Sequence, residues 1–265
     1  MKIKAVAIDL DGTLLNSNHE ISEFNLEVIE KLKREGVMVV ISTGRLYSSL
    51  YKYKEKLKLD TPVICYNGAK VVDGKNDETI FEINLNEDAV KKIVEVARKN
   101  DVHLNLFQEE KWYVECKRNE VETYAASSGL KYHLINFDEL NKIKVTKAMY
   151  VGENAKLKEI EKEIKDSIGE DVYMAFSKPY FLEILDKKVS KGEALKSVLE
   201  KYNISREETA AFGDGFNDAE MLRFAGVGIV MGNAPEELKK QFKNVADTND
   251  NDGLGKYILK LIEEK

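Results

Sequence analysis

The chain has 265 residues, of which 43% are hydrophobic and 33% are charged, and its formal net charge is −6. This acidic balance without a basic cluster argues against a nucleic-acid partner, and no apolar run approaches the roughly 18 residues of a membrane span. Two cysteines cannot build a disulfide framework, which favours a reducing compartment, so we expect a soluble cytoplasmic protein. We also expect a monomer or a weak homo-oligomer without a membrane partner.

Continuously apolar segments recur at both ends of the sequence. Such segments suit strands that are covered by helices on both faces, which is the pattern of a parallel sheet. An apolar stripe with helical spacing follows the first segment, and another precedes the fourth. The predicted strands of this sheet are, in chain order, residues 5–8, 37–41, 63–65, 210–212 and 227–231.

The middle of the chain shows a different pattern. Residues 102–106 alternate between apolar and polar side chains, which predicts an antiparallel strand with one face in water. Stripes with helical spacing are interleaved with the strands here too. The strand type changes near residue 84 and changes back near residue 187. We therefore predict an inserted second domain over residues 84–187, within a first domain formed by residues 1–83 and 188–265.

Two aspartates directly follow the first predicted strand. Asp9 and Asp11 stand at the carboxyl end of a parallel strand, which is where open α/β sheets bind ligands. Two carboxylates this close repel each other unless a cation lies between them, and oxygen-only ligands favour Mg²⁺. The alternative is a simple turn, because Asp11-Gly12 is also a common turn dipeptide.

A hydroxyl and a glycine follow the second predicted strand. Thr43 and Gly44, in the segment that continues to Arg45, can present a side-chain oxygen and backbone N–H groups to an anion. Thr43 can equally cap the helix that follows, and one residue can do both. The segment is therefore either an anion site, a helix cap, or both.

A helix-capping pattern precedes the fourth apolar segment. Ser190 and Glu193 have the spacing of a capping box, so we predict that a helix begins here. Lys191 then lies in the first turn, where the helix dipole disfavours a cation. A phosphate or a carboxylate just outside the helix would explain this placement. The alternative is an exposed lysine whose small cost the helix tolerates.

A glycine-flanked acidic loop follows the strand predicted at residues 210–212. Asp214, Asn217 and Asp218 supply two carboxylates and an amide, which are typical hard-cation ligands. The alternative is a loop in which Asn217 or Asp218 caps the next helix. Four such motifs in order, three of them directly after a buried strand, favour one shared site.

The four motifs resemble those of the haloacid dehalogenase superfamily, and within it the Cof-type phosphatases with a large α/β cap. The segments 9–13 and 213–218 carry the resemblance most specifically, and the segments 66–69 and 179–184 match as well. The resemblance covers essentially the whole chain. It implies an α/β fold with a Rossmann-like, doubly wound parallel sheet as its core and an inserted α+β cap domain.

The resemblance also implies a role for each motif residue. Asp9 would be the nucleophile that forms an aspartyl-phosphate, and Asp11 the general acid and then the base that activates water. The residues implied in holding the phosphoryl group are Thr43 and Lys191, with Asn217 orienting the phosphate or the lysine. The implied Mg²⁺ ligands are Asp9, the backbone carbonyl of Asp11, and Asp214, with Asp218 in support through water. Further residues that the resemblance offers as substrate contacts are Gly44, Arg45 and Asn67, and the alternative for Arg45 and Asn67 is a structural turn residue.

By this resemblance we expect a Mg²⁺-dependent phosphatase that acts on small phosphomonoesters, with sugar phosphates first and pyridoxal phosphate and nucleotide-derived phosphates next. A phosphomutase of the same superfamily is the alternative, since the same aspartates serve both reactions. Asp11 and the Asp214 loop argue against a dehalogenase, which needs neither a metal nor an acid two residues after its nucleophile. The alternative outside enzymes is a module that binds Mg²⁺ and a ligand without catalysis.

Overall fold

The computed structural model describes residues 3–139 and 144–263, which fall into two compact units. The larger one, the core unit, comprises Met1–Arg45, Leu50–Phe81 and Ser190–Lys265. The smaller one, the inserted unit, comprises Leu46–Ser49 and Glu82–Val189. Across the described ranges, none of the helices has both the length and the apolar composition that crossing a bilayer requires.

Strands and helices alternate along most of the chain. The strands are β1 (Ala5–Ile8), β2 (Met38–Ser42), β3 (Val63–Cys65), β4 (Lys70–Val72), β5 (Thr79–Glu82), β6 (His103–Gln108), β7 (Lys111–Val114), β8 (Tyr132–Leu134), β9 (Lys147–Val151), β10 (Val172–Lys178), β11 (Phe181–Asp186), β12 (Thr209–Gly213), β13 (Val227–Val230) and β14 (Asn244–Val245). The helices are α1 (Glu23–Arg34), α2 (Tyr47–Leu57), α3 (Glu87–Lys99), α4 (Asn119–Ser128), α5 (Asn154–Ile168), α6 (Lys191–Lys201), α7 (Ala219–Phe224), α8 (Glu236–Lys239) and α9 (Gly253–Glu263).

The core unit is built on a sheet with the order β14-β13-β12-β1-β2-β3-β4-β5. The predicted parallel pairing is confirmed for β13, β12, β1, β2 and β3, and β1 pairs with β12 in the register Ala5↔Thr209 to Ile8↔Phe212. The strand β14 was not predicted, and it runs parallel to β13. By contrast, β4 runs antiparallel to β3. The connection between Cys65 and Lys70 is too short for the crossover of a dozen or more residues that a parallel partner needs.

Burial on both faces explains the apolar runs of the core sheet. Every residue of β1 is buried, and the cluster around it includes Leu195 and Leu199 of α6 and Met221 and Leu222 of α7. Full burial of a leucine side chain contributes about 1.5–3 kcal/mol. This packed sheet supports the loops that follow its strands at the carboxyl edge.

The inserted unit has its own sheet, with the order β10-β11-β9-β6-β7-β8. Its pairs are antiparallel except for β7 and β8, which are parallel. The alternation in β6 does separate two faces, but the expected wet face was wrong at His103 and Asn105, which are buried. Asn105 Oδ1 accepts hydrogen bonds from Trp112 Nε1 at 2.7 Å and pairs with His103 Nε2 at 2.8 Å, and Tyr124 of α4 packs on the Trp112 ring. A polar face is compatible with burial when its members bond to one another.

Candidate active site

Three of the predicted site residues directly follow core strands. Asp9 follows β1, Thr43 follows β2, and Asp214 follows β12. These three strands are adjacent and parallel, so the residues come to the same carboxyl edge of the sheet.

A buried lysine connects the first and last motifs. Lys191 Nζ lies 2.6 Å from Asp9 Oδ1 and 2.6 Å from Asp218 Oδ1, and the Lys191 side chain is fully buried. The helix begins here as predicted, with Ser190 Oγ accepting from the Glu193 N–H at 3.0 Å. The two carboxylates explain why a cation occupies the first turn of α6, where the helix dipole alone would disfavour it.

Asp218 also shapes the loop that carries Asp214. Its second oxygen, Oδ2, accepts from the backbone N–H of Asp214 at 3.0 Å and from that of Gly215 at 2.9 Å. Both carboxylate oxygens of Asp218 are thus engaged by protein donors. This arrangement suits a residue that holds the loop and the lysine in place.

Carboxylate oxygens of Asp9, Asp214 and Asp218 lie within 4.8 Å of one another. Burial raises the pKa of Asp9 well above its ordinary value, although Lys191 opposes the shift. Burial and the nearby Asp218 raise the pKa of Asp214 to about 7. When all three carboxylates are ionised, the cluster and its one ammonium group carry two uncompensated negative charges, and an all-oxygen donor set suits a hard divalent cation. The residues present therefore fit a metal ion.

The protonation state of Lys191 follows from its surroundings. Burial lowers the pKa of Lys191, but the charges of Asp218 and Asp9 and their hydrogen bonds outweigh it, so the net shift is upward. The site therefore favours the charged form of Lys191.

Asp11 points to a different partner. Arg45 Nε donates to Asp11 Oδ2 at 2.7 Å, and Arg45 Nη2 donates to Asp11 Oδ1 at 2.5 Å. The guanidinium group also lies over the Tyr53 ring, and His19 Nδ1 lies 3.7 Å from Asp11 Oδ1. Two parallel hydrogen bonds fix the plane of a carboxylate, so Arg45 orients the half-exposed Asp11 side chain.

The Thr43 segment contacts the loop after β3. Thr43 is buried, its Oγ1 accepts from the Arg45 N–H at 3.2 Å, and its carbonyl accepts from the Asn67 N–H at 3.0 Å. The side chain of Asn67 reaches the acidic loop, where its Oδ1 accepts from Asn217 Nδ2 at 2.8 Å. Gly44 is part of the same contact, because a Cβ at that position would lie 2.9 Å from Asn67 Oδ1.

Two residues at the site were not predicted from the sequence. Thr13 Oγ1 donates to Asp214 Oδ1 at 3.2 Å. Asn233 Nδ2 donates to the Gly12 carbonyl at 2.8 Å and lies 3.4 Å from Asp214 Oδ2. Asn233 lies three residues after the half-buried strand β13, so extending the rule that singled out Asp9 and Asp214 by a few residues would have found it too. Gly12 fits tightly here, because a Cβ on it would lie 2.2 Å from Asp214 Oδ2.

The comparison with protein families gives one match over nearly the whole chain. The model of the haloacid dehalogenase-like hydrolases matches residues 6–258. The 5-amino-6-(5-phospho-D-ribitylamino)uracil phosphatase of Bacillus subtilis is 30% identical over 283 residues, covering 96% of this chain and 95% of that protein.

Solved structures agree with this match. A haloacid dehalogenase-like hydrolase from Bacteroides thetaiotaomicron is 31% identical, with a TM-score of 0.89 over 98% of this chain and 100% of that one. A sugar phosphatase of subclass IIB is 27% identical, with a TM-score of 0.86 over 97% of this chain and 98% of the other.

Proposed function

This chain belongs to the haloacid dehalogenase-like hydrolase family as one of its phosphatases, and we propose that it hydrolyses small sugar or sugar-alcohol phosphomonoesters through a phosphorylated Asp9. The observation that carries the proposal is the buried Asp9 carboxylate, which contacts Lys191 and lies within the acidic cluster. A carboxylate attacks a phosphate ester only if the negative charge of the phosphoryl oxygens is neutralised. Lys191 supplies one such charge.

The proposed reaction has two steps, and Asp11 serves in both. In the first, a carboxylate oxygen of Asp9 bonds to phosphorus, the bond to the ester oxygen breaks, and Asp11 gives its proton to the leaving alcohol. In the second, Asp11 takes a proton from water, and the resulting hydroxide attacks phosphorus. The bond to Asp9 then breaks, and inorganic phosphate leaves.

The remaining residues hold the reacting groups. We assign Thr43, Lys191 and Asn217 to the phosphoryl oxygens. We assign Asp9, the backbone carbonyl of Asp11, and Asp214 to Mg²⁺, with Asp218 in support. When bound, Mg²⁺ supplies positive charge that offsets the charge of the phosphoryl group. The two uncompensated negative charges of the cluster support this assignment.

The substrate class is inferred from the relatives. The Bacillus subtilis relative is named for a substrate that carries a phosphorylated ribityl chain, and a structural neighbour is named a sugar phosphatase. Both names describe phosphomonoesters of polyhydroxylated carbon chains. We propose that residues 84–187 act as a cap that selects among such esters and excludes water during phosphoryl transfer.

Release of inorganic phosphate tests the proposal. A panel of sugar, sugar-alcohol, pyridoxal and nucleotide phosphomonoesters is assayed with Mg²⁺ and with a chelator. We expect release that needs Mg²⁺, is highest for the sugar and sugar-alcohol esters, and is abolished in Asp9→Asn. Asp88→Asn, at an exposed position of α3, is the matched control and should retain full activity.

Other outcomes would point elsewhere. Transfer of the phosphoryl group to a second hydroxyl without release would indicate a phosphomutase. A folded protein that binds Mg²⁺, gives no release from any ester and never phosphorylates Asp9 would contradict the proposal and favour a binding module.

A further inference from the structure

The short segment after β3 has an unusual backbone. Tyr66, Asn67 and Gly68 all have positive φ, at 50°, 57° and 104°. Such angles are uncommon for residues other than glycine, and asparagine is among the side chains that adopt them most readily. Asn67 is also buried, with only 4% of its surface exposed. A buried polar residue in such a conformation needs contacts that hold it there.

The segment contacts three of the four sequence motifs. The Tyr66 N–H donates to the Arg45 carbonyl at 3.0 Å, and the Asn67 N–H donates to the Thr43 carbonyl at 3.0 Å. A Cβ on Gly68 would lie 2.2 Å from the Ser190 carbonyl oxygen, which precedes Lys191 in the chain. The segment thus packs against the loops that carry the proposed phosphoryl-binding residues.

The side chain of Asn67 makes the remaining connection. Its Oδ1 accepts from Asn217 Nδ2 at 2.8 Å, across 150 positions of sequence. On its other side, Asn217 Oδ1 packs on Gly215, where a Cβ would lie 2.3 Å away. The amide of Asn217 thus donates to Asn67 through its nitrogen and packs against Gly215 through its oxygen. A side-chain amide nitrogen carries two hydrogens, so Asn217 Nδ2 has a second one to offer a phosphoryl oxygen.

We propose that Asn67 is a positioning residue, which fixes the amide of Asn217 for contact with the transferring phosphoryl group. Its left-handed backbone brings Oδ1 to Asn217 while its N–H secures the Thr43 segment. This inference rests on the proposed phosphatase function. It assigns Asn67 no contact with the substrate.

The test measures how much Asn217→Ala lowers kcat in different backgrounds. Asn67→Gly keeps the left-handed backbone and removes only the side chain. In the wild-type background we expect Asn217→Ala to lower kcat about tenfold, since one hydrogen bond contributes on this order. Asn67→Gly alone should cause a similar fall, with a smaller change in KM. In the Asn67→Gly background, Asn217→Ala should then lower kcat by less than about twofold, because its amide is no longer positioned.

A second background checks that the acceptor oxygen is what matters. Asn67→Asp tolerates the same backbone and keeps an oxygen facing Asn217 Nδ2. Here Asn217→Ala should again lower kcat about tenfold, whatever the effect of the added charge on kcat itself. Asn203→Gly is the control for the asparagine-to-glycine exchange. Asn203 also has positive φ, at 53°, but is exposed at the end of α6, so this variant should keep wild-type kcat.

Two results would overturn the inference while leaving the phosphatase function intact. One is an Asn67→Gly enzyme with wild-type kcat. The other is independent action, with Asn217→Ala costing the same in the wild-type and Asn67→Gly backgrounds. If Asn67→Gly does not fold, the Asn67→Asp background decides: an effect of Asn217→Ala below about twofold there overturns the inference. A wild-type protein that releases no phosphate from any ester would instead refute the proposed function.

Discussion

Replacing Lys191 by methionine removes a cation from the buried centre of the site. Its Nζ lies 2.6 Å from both Asp9 Oδ1 and Asp218 Oδ1, and methionine keeps most of the side-chain length without the charge. Removing one partner from a buried ion pair costs about 3–5 kcal/mol. At ~2–4 °C per kcal/mol for a chain of this size, the melting temperature should fall by roughly 6–20 °C.

The loss of stability in Lys191→Met should depend on pH and on the presence of a divalent cation. This dependence distinguishes the effect of the removed charge from a loss of packing. Burial raises the pKa of Asp9, and removing the opposing charge of Lys191 raises it further. A carboxyl group with a raised folded-state pKa contributes stability while it is protonated, and this contribution is lost as pH rises through that pKa. The melting temperature of the variant should therefore be lowest at alkaline pH in the presence of a chelator. Added Mg²⁺ should raise its melting temperature more than that of the wild type.

Thermal melts across a pH series, with Mg²⁺ and with a chelator, measure both effects. Lys196→Met in the same helix is the matched control, because the Lys196 side chain is 47% exposed. That control should stay within about 0.5 kcal/mol of the wild type. A loss for Lys191→Met below about 1 kcal/mol, or one that is the same at every pH and with either addition, would refute the reasoning.

Four further predictions concern neighbouring parts of the site. Gly12→Ala should weaken Mg²⁺ binding and phosphate release strongly, because its φ is +77° and a Cβ would lie 2.2 Å from Asp214 Oδ2. Gly36→Ala is the control for backbone strain, because Gly36 has φ +75° and a Cβ there would meet no described atom within 4 Å. Equal effects of Gly12→Ala and Gly36→Ala on Mg²⁺ binding would contradict the expectation. Calorimetry should show more protons released on Mg²⁺ binding at about pH 6 than at about pH 8.5, because the metal displaces protons from carboxylates; equal release would contradict the raised pKa of Asp214. Without metal, the contribution of Asp214 to stability should fall as pH rises from its ordinary pKa of 3.8 to about 7, which pH-dependent melts in chelator would detect. Arg45→Ala should lower kcat about tenfold by releasing the carboxylate of Asp11; added guanidinium ions should restore part of the rate, and an unchanged kcat would contradict this role.

Local sequence patterns were sufficient to predict that three candidate residues share one edge of the sheet. Buried parallel strands are recognisable as short apolar runs, and their carboxyl ends meet at one sheet edge, so Asp9, Thr43 and Asp214 could be grouped in advance. The capping pattern placed Lys191 in the first turn of α6, and its unfavourable position there pointed to a negatively charged neighbour.

The partners of each side chain could not be predicted in the same way. The pairing of Arg45 with Asp11, or of Asn67 with Asn217, depends on how loops that are far apart in sequence pack together. No local sequence pattern specifies these pairs. The burial of Asn105 was missed for a similar reason, because a polar side chain in an alternating strand looks solvent-exposed until its distant partners are known.

The order of the core strands has a consequence for synthesis of the protein. Asp9 emerges from the ribosome before β12, the strand with which β1 pairs and in which Thr209 lies opposite Ala5. Lys191 precedes β12 and Asp218 follows it. Until these segments emerge, Asp9 lacks its charged partner and one of the two strands that flank β1. A nascent chain that ends before α6 therefore lacks both the charged partner and one flanking strand of the proposed nucleophile, and the last third of the chain supplies them.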